Sequence, residues 1–279
     1  MKRLFASLLM VAALAACGSP LAKAETPQQA LSAAAQRSSQ LKTAKFDIQG
    51  TVTMTLPAAM TQGLAGAGGA VTATLSGTGQ AQFPDRYQLT ANLKMSSFSV
   101  ATEVIVAAGK AYVKNPLTGK WQVSTASASI TDQLVQADPL SYSQYLKNAK
   151  SIKDLGDTSL NGTAVHHYQL TPDKAKLLTS LNSASAPNPQ ALAAIKQVLN
   201  SGTLTVDVWF GKDDHLVRRV STNADYSIDL NQLMGSLGSL GSASGSQLPA
   251  GSMMHATASV TANYHDFDSS VTISIPTVG

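Results

Sequence analysis

The chain has 279 residues, of which 44% are hydrophobic and 13% charged, and its formal net charge is +4. A chain of this length is long enough to bury a large core as one domain, and its single cysteine excludes a disulfide within the chain. The low charge and the lack of a basic stripe argue against a nucleic-acid partner.

The N-terminus has the pattern of an export signal. Lys2 and Arg3 precede an apolar run over 4–14, which is shorter than the roughly 20 residues of a membrane-spanning helix and fits a signal peptide. The Leu-Ala-Ala-Cys sequence at 14–17, followed by glycine, resembles the bacterial lipobox, in which the cysteine is acylated and the preceding residues are removed. We therefore predict a signal peptide over 1–16 and lipidation of Cys17. An ordinary signal peptide with a coincidental cysteine and an uncleaved anchor are the alternatives.

Cleavage before Cys17 would remove Lys2 and Arg3 and lower the formal net charge from +4 to +2. Residues 17–26 are mostly small and polar, which predicts a short lipidated tether. We expect an exported protein whose N-terminal acyl group anchors it to the outer face of the cell membrane. If the source has two membranes, the periplasm or the outer membrane is the alternative location.

The first predicted element of the mature chain is a helix over 26–43. Thr26 is a suitable N-cap residue, Pro27 fits the first helical turn, and an apolar stripe with a period of 3.6 continues to Leu41. From Phe46 the period changes to two, which predicts a long strand with one apolar and one polar face.

Similar alternation predicts further strands and turns, including a hairpin at the Asn-Gly pair 161–162. Helical spacing separates the strands into groups. The strand-like runs are 71–83, 87–95, 104–106, 111–113, 120–123, 152–159, 165–170, 204–210, 216–230, 260–267 and 271–275, and the helical runs are 130–137, 139–149, 174–181 and 189–199.

Two stretches, 57–70 and 233–252, are rich in Gly, Ala and Ser, which predicts long flexible loops between strands. Their scattered Leu and Met side chains suit adaptable apolar contacts. If both loops lie at one rim, they would gate a cavity or touch the bilayer; linkers without function are the alternative. The candidate rim residues are Met60, Leu64, Leu237, Leu240, Met253 and Met254.

The elements together predict a single α+β domain over 27–279. Its fold would be a strongly curved antiparallel sheet of about ten strands, a half-open β-barrel, with helices covering the concave face. Periodicity leaves open whether the apolar face encloses a packed core or a lipid-sized cavity. The candidate cavity-lining residues are Ile48, Val52, Met54, Leu89, Leu93, Val206 and Val208.

Catalytic and metal-binding patterns are weak in this sequence. His166 and His167 are adjacent on a predicted strand, so their rings point to opposite faces and cannot chelate one metal. No metalloprotease, phosphate-binding or nucleophile-elbow motif is present. We predict no catalytic residue, no metal site and no cofactor. Trp121 and Trp209 are interpreted as core anchors, and Arg218-Arg219 as a solvated or structural pair, with ligand or headgroup contact as the alternative.

The order of elements resembles the LppX/LprAFG lipoprotein family, within the wider LolA/LolB-like group. The resemblance rests on the helix before the Phe-Asp-Ile-Gln-Gly of 46–50, on Gly-Lys-Ala-Tyr-Val-Lys at 109–114 with Gly-Lys-Trp at 119–121, and on Leu-Asn-Gly-Thr at 160–163. It also includes His-Tyr at 167–168, Val-Trp-Phe at 208–210 and Leu-Val-Arg-Arg at 216–219.

This resemblance implies a half-open barrel with helices over its mouth and an apolar cavity for acyl chains. It also implies binding or transfer of lipids, lipoglycans or lipoproteins at the cell envelope. The alternative from the residues is a non-catalytic structural or sensory module with a filled core that binds an unknown protein partner. A third reading, an outer-membrane barrel, is disfavoured because helices interrupt the strands.

Overall fold

The structure is a computed structural model that describes residues 26–57, 69–95, 98–124, 148–184, 189–237 and 249–279. The strands are β1 Thr43–Thr55, β2 Ala70–Gln82, β3 Arg86–Met95, β4 Phe98–Ala107, β5 Lys110–Lys114, β6 Trp121–Val123, β7 Ala149–Leu160, β8 Thr163–Pro172, β9 Gly202–Gly211, β10 Val217–Asp229 and β11 Met253–His265. The helices are α1 Pro27–Ser38, α2 Lys174–Ala184, α3 Pro189–Asn200 and α4 Leu230–Leu237.

All eleven strands form one antiparallel sheet in the order β6-β5-β4-β3-β2-β1-β11-β10-β9-β8-β7. The first and last strands of the domain meet in its middle, where Lys45 pairs with His265 and Thr55 with His255. Every other neighbouring pair of strands is consecutive in the chain, so the sheet is two meanders joined through β1 and β11. The predicted antiparallel α+β fold is confirmed, with eleven strands where about ten were expected.

The register fixes two chemically different faces. Phe46, Ile48 and Val52 lie on one face, here called the apolar face, because alternate residues of a strand share a side. Asp47 and Thr51 lie on the other, the polar face. The same alternation continues through β2, where Val71, Ala73 and Leu75 are half-buried on the apolar face and the threonines between them are exposed.

The two ends of the sheet also differ. The near end is the one where β1 begins at Thr43, and it carries the β2–β3, β4–β5, β7–β8 and β9–β10 turns. The far end is the one where β1 ends at Thr55, and it carries the β3–β4 turn and helices α2 to α4. At the β7–β8 turn, Asn161 and Gly162 have φ values of 50° and 81°, as a tight hairpin turn requires.

Helix α1 begins at the predicted position and is held there by a capping box. The Gln29 backbone N–H donates to Thr26 Oγ1 at 3.3 Å, and the Thr26 backbone N–H donates to Gln29 Oε1 at 2.9 Å. Its apolar stripe places Leu31 and Ala34 at zero exposure against the apolar face. The main core is therefore the space between α1 and strands β8 to β11. Its buried members are Ala30, Leu31, Ala34, Tyr168, Leu170, Val206, Val208, Phe210, Val217 and Tyr264.

A glycine allows the core to continue onto β2. The Phe46 ring lies over Gly79, where an added Cβ would come within 2.2 Å of the ring. Phe46 in turn packs beside Tyr264, with ring centroids 6.2 Å apart. Only the absence of a side chain at position 79 leaves room for this aromatic pair.

Four sequence predictions about elements need correction. The helix predicted over 26–43 ends at Ser38, and Thr43 already begins β1. The run 271–275 is not a strand: it crosses the polar face as a tail, with Ile273 buried beside Ile105 and Tyr112. Residues 233–237 of the predicted loop belong to α4, whose first turn is capped by Asp229 Oδ1. Ala149, expected to end a helix, begins β7. The helices predicted at 130–137 and over 139–147 lie outside the described residues.

Candidate functional site

The far half of the apolar face on β1 to β4, here called the open half, lies outside the main core that α1 covers. Helix α1 packs on β7 to β11, α3 contacts β9 and β10, and α4 contacts β10. Toward the far end of β3 and β4, Leu93 is 46% exposed, Met95 40% and Phe98 58%. These are large apolar side chains on the same face as the core, so the sheet presents an accessible apolar surface.

Five of the seven candidate cavity-lining residues lie on the apolar face of β1 and β3. Ile48, Val52, Met54 and Leu89 are half-buried, and Leu93 is exposed. The register brings the two strands together through β2, because Ile48 pairs with Gly77 and Gly77 with Ala91. These five positions therefore belong to one continuous surface.

The other two candidates lie elsewhere on the same face. Val206 and Val208 have zero exposure and pack in the main core beneath α1. Their neighbours Leu170 and Tyr168 on β8 are also buried. The structure thus separates the predicted apolar face into a filled part on β8 to β11 and the open half.

The strand ends that lead into the two Gly-rich segments lie side by side at the far end. Thr55 pairs with Ala70 across the first segment and with His255 just after the second. Met253 and Met254 are the first residues of β11, and Met253 is 47% exposed. Leu237 is the last residue of α4. Met60, Leu64 and Leu240 lie outside the described residues, as do Cys17 and the predicted signal peptide.

The structure reveals a polar cluster on the polar face that the sequence reading missed. The Asp207 side chain lies between Val206 and Val208 on the opposite side of β9 and is nearly buried. Its carboxylate is 2.9 Å from His167 Nε2 and accepts hydrogen bonds from Gln169 Nε2 at 3.1 Å and Asn223 Nδ2 at 3.4 Å. The alternation of polar residues on three neighbouring strands was the available signal for this cluster.

Trp209 and Arg219, two of the residues singled out in the sequence, lie beside this cluster on the polar face, so Trp209 is not the core anchor that was predicted. The Trp209 ring stacks on His167 with centroids 4.1 Å apart, and the Arg219 guanidinium lies 5.6 Å from the Trp209 centroid. Arg219 Nε donates to Asn263 Oδ1 at 2.6 Å. Because these groups pair with one another, the cluster acts as a structural network on the polar face.

His166 lies on the apolar face, opposite His167, as adjacent strand residues must. Its Nδ1 and Nε2 atoms are each 2.6 Å from a carboxylate oxygen, of Asp157 and Asp154 respectively. The Lys212 ammonium and the His166 ring hold the pKa of Asp157 below its usual value. Within the described residues no group of three or more His, Cys, Asp or Glu side chains is arranged to hold a metal ion.

The remaining singled-out residues have structural contacts. Arg218 forms an ion pair with Asp214 and lies 4.7 Å from the centroid of the Phe267 ring. Trp121 packs against the C-terminal tail, and its carbonyl accepts a hydrogen bond from the Gly279 N–H at 3.4 Å. These contacts agree with core or pair roles rather than with ligand contact.

Two surface depressions lie on the polar face. One, of about 360 Å³, is lined by side chains that include Lys45, Gln80 and His265, and the other, of about 310 Å³, by side chains that include Thr205 and Asn223. Most of the residues that line both depressions are polar or charged, so an acyl chain lying there would bury groups that favour water. The open half is therefore the better candidate for an apolar ligand. In the part of the chain that is described, no helix is long and apolar enough to cross a bilayer.

Comparison with known proteins gives a likeness of fold only. No protein-family model and no curated protein sequence matches this chain. The solved structure of lipoprotein LppX from Mycobacterium tuberculosis aligns with a TM-score of 0.45 and 12% identity, over 88% of this chain and 97% of LppX. LprF from Mycobacterium bovis aligns with a TM-score of 0.45 and 15% identity, over 90% and 97% of the two chains.

A LolA superfamily protein from Nitrosomonas europaea aligns more weakly, with a TM-score of 0.30 and 9% identity over 89% of this chain and 95% of that one.

Proposed function

We propose that this protein is a membrane-anchored lipoprotein of the cell envelope that binds acyl chains of a lipid or lipidated molecule on its open half. The observation that carries the proposal is an accessible apolar surface that continues the core face of the sheet. Leu93, Met95 and Phe98 are exposed at its margin, while Ile48 and Val52 are half-buried further in.

The physical basis of binding is the removal of acyl methylenes from water. Each buried methylene contributes about 0.8 kcal/mol. The apolar side chains of β1 to β4 supply the contact surface, while the polar face and the exposed threonines of β2 remain in water. A headgroup of either a phospholipid or a lipoglycan would stay solvated at the margin, so the proposal concerns the acyl chain and includes no catalytic step.

Acylation of Cys17 completes the proposal. The thiol is the only one in the chain, and the lipobox-like sequence places it directly after the predicted signal peptide. An anchor at this position would hold the binding surface close to a source of lipid. Its location would be the outer face of the cell membrane, or the periplasm or outer membrane where two membranes exist.

The test is native mass spectrometry and lipid extraction of the chain carrying Cys17→Ala, so that no covalent acyl group is present. We expect co-purified or exchangeable lipid. In the same background, Leu93→Asn should reduce lipid occupancy because it places an amide in the apolar surface. Leu93 is already 46% exposed, so this change should have little effect on the free energy of unfolding.

The matched control is Thr90→Asn, three residues earlier on β3 and exposed on the polar face. It should leave lipid occupancy unchanged. Recovery of no lipid from the Cys17→Ala protein would overturn the proposal. Equal occupancy in all three proteins would place the lipid somewhere other than the open half.

A second candidate function is a module that binds a protein partner without carrying lipid. The filled core between α1 and strands β8 to β11 favours it for that half of the sheet, because no room for an acyl chain remains where Val206 and Val208 are fully buried. The lipid extraction described above separates the two candidates.

A further inference from the structure

We infer that the far end of the sheet is the end that faces the bilayer, and that Met95 and Phe98 contact the membrane surface. The inference rests on the proposed acyl anchor and specifies which part of the open half meets the lipid. Three independent features of the structure support it: the direction of α1, the contrast between the two ends, and the continuity of the apolar surface.

The direction of α1 determines where the anchor leaves the domain. Ser38, at the C-terminal end of α1, lies at the near end, where it shares a small cavity of about 10 Å³ with Ala44 and Phe83. The core beneath α1 extends to Ile152 and Ala149 on the far half of β7, and α1 contacts this strand. The N-terminal end of this helix, about 18 Å from its C-terminal end, is therefore directed toward the far end.

The remaining chain between the anchor and α1 is short. Nine residue steps separate Cys17 from Thr26, which span at most about 30 Å. An acyl group on Cys17 would consequently hold the bilayer within reach of the end from which α1 starts. A near-end attachment would require this segment to run back along the length of the sheet.

The two ends of the sheet differ in their exposed large apolar side chains, although both expose charged residues, at the far end for example Lys94 and Lys150. The near-end turns expose charged or small residues, among them Asp85, Lys110 and Asp213. At the far end Met95 and Phe98 are exposed to 40% and 58%, on either side of the β3–β4 turn. Charged groups are costly to bring into a lipid surface, whereas aromatic and aliphatic groups favour it.

The exposed pair is also continuous with the proposed ligand surface. Met95 pairs with Phe98 across the turn and with Ala73 on β2, and Ala73 pairs with Val52 on β1. A row of side chains on the apolar face thus runs from the far-end margin into the open half. An acyl chain leaving a bilayer at Phe98 would meet apolar contacts without crossing a charged turn.

The experiment uses the full acylated chain in phosphatidylcholine and phosphatidylglycerol vesicles that contain brominated lipid. Since acylation occupies the native thiol, Phe98→Cys and Met95→Cys each provide one site for an environment-sensitive fluorophore. Asp85→Cys at the near end is the matched control, because it lies in an exposed turn of the same β2–β4 meander. We expect the brominated lipid to quench the fluorophore at positions 98 and 95 and to leave its emission at position 85 unchanged.

Two results would overturn the inference: quenching at position 85 as strong as at position 98, or quenching at none of the three positions. Mass spectrometry of the same samples shows whether Cys17 is acylated. Absence of the acyl group would contradict the anchor on which this inference rests. Unquenched fluorophores on an acylated protein that still binds lipid after Cys17→Ala would overturn the orientation and leave the proposed function standing.

Discussion

The Asp207 carboxylate is nearly buried on the face of the sheet that carries few apolar groups. Burial of a charge is costly unless hydrogen-bond donors satisfy it. His167, Gln169 and Asn223 surround this carboxylate, and Trp209 covers His167 from the adjacent strand. The side chains of one cluster thereby join β8, β9 and β10 on the side opposite the core.

Replacement of this carboxylate should lower stability. An Asp207→Asn side chain has one acceptor oxygen and presents N–H groups to neighbouring donors, so we expect the free energy of unfolding to fall by about 1–3 kcal/mol. Urea unfolding followed by tryptophan fluorescence measures the change, since Trp209 lies beside the cluster.

Asp225→Asn is the control for this prediction. Asp225 lies on the same face of β10 and its side chain is 59% exposed, with His255 at 3.6 Å. An exposed pair of this kind contributes about 0–1 kcal/mol. Equal losses in the two variants would contradict a special role for the buried carboxylate.

Among the elements, α1 is the helix that closes the main core of the sheet. It contributes Ala30, Leu31 and Ala34 to the core, all under 9% exposed. Its start is fixed by the capping box of Thr26 and Gln29 rather than by acidic residues in its first turn. The packing of α1 on the sheet is therefore stabilised mainly by burial of its apolar stripe.

Truncation of the largest buried side chain tests this account. Leu31→Ala should lower the free energy of unfolding by about 2–5 kcal/mol, because it removes buried methyl groups and leaves a cavity against the sheet. The adjacent Ser32 is exposed and bonds only its own helix, at 2.7 Å from Oγ to the Gln28 carbonyl. Ser32→Ala should change stability by a few tenths of a kcal/mol. Chemical denaturation compares both, and a small loss in Leu31→Ala would show that α1 is held in another way.

Long periodic elements were predictable from sequence, whereas short ones were not. The alternation from Phe46 to Thr55 correctly predicted both faces of β1, because a period of two leaves no other arrangement. The run 271–275 also alternates, yet Ile273 is buried on the polar face without joining a ladder. A short apolar run does not reveal whether its backbone pairs with a neighbouring strand or only its side chains pack on the sheet.

The helix α4 was missed for a different reason. Its Gly and Ser content predicted a loop, but Leu230, Leu233 and Leu237 recur at helical spacing. Asp229 supplies the N-cap, accepting from the backbone N–H groups of Asn231 and Gln232 at 2.9 and 3.2 Å. The division of the apolar face into a filled part and the open half was not predictable, because it depends on where α1 packs.

For the whole molecule, acid should weaken the fold through carboxylates with cationic neighbours. Lys212 and His166 lower the pKa of Asp157, and Lys45 lowers that of Asp266, below the ordinary value of 3.8. A carboxyl whose folded pKa is depressed adds stability above its unfolded pKa. That stability is lost as the pH falls through the folded pKa.

We therefore expect the urea midpoint to fall as the pH is lowered from 5 to below about 4. The double variant Lys45→Met with Lys212→Met removes both cations and should show a shallower fall. Lys110→Met, at the exposed first residue of β5, should retain the slope of the unsubstituted protein. An unchanged slope in the double variant would assign the acid sensitivity to other carboxylates.

If the protein is anchored to a membrane as proposed, the two outer strands of the sheet have a further consequence. On β7 the ladder with β8 is interrupted between Asp154 and Gly156, where Gly156 has a φ of 82°. On the other side β6 has only three residues, and the C-terminal tail bridges it between Trp121 and Val278. An edge strand with a β-bulge, such as β7, and a short edge strand covered by the tail, such as β6, are poor templates for strand addition by a second copy. We therefore expect that many copies of the protein can lie close together on a membrane with little tendency to polymerise through their sheet edges.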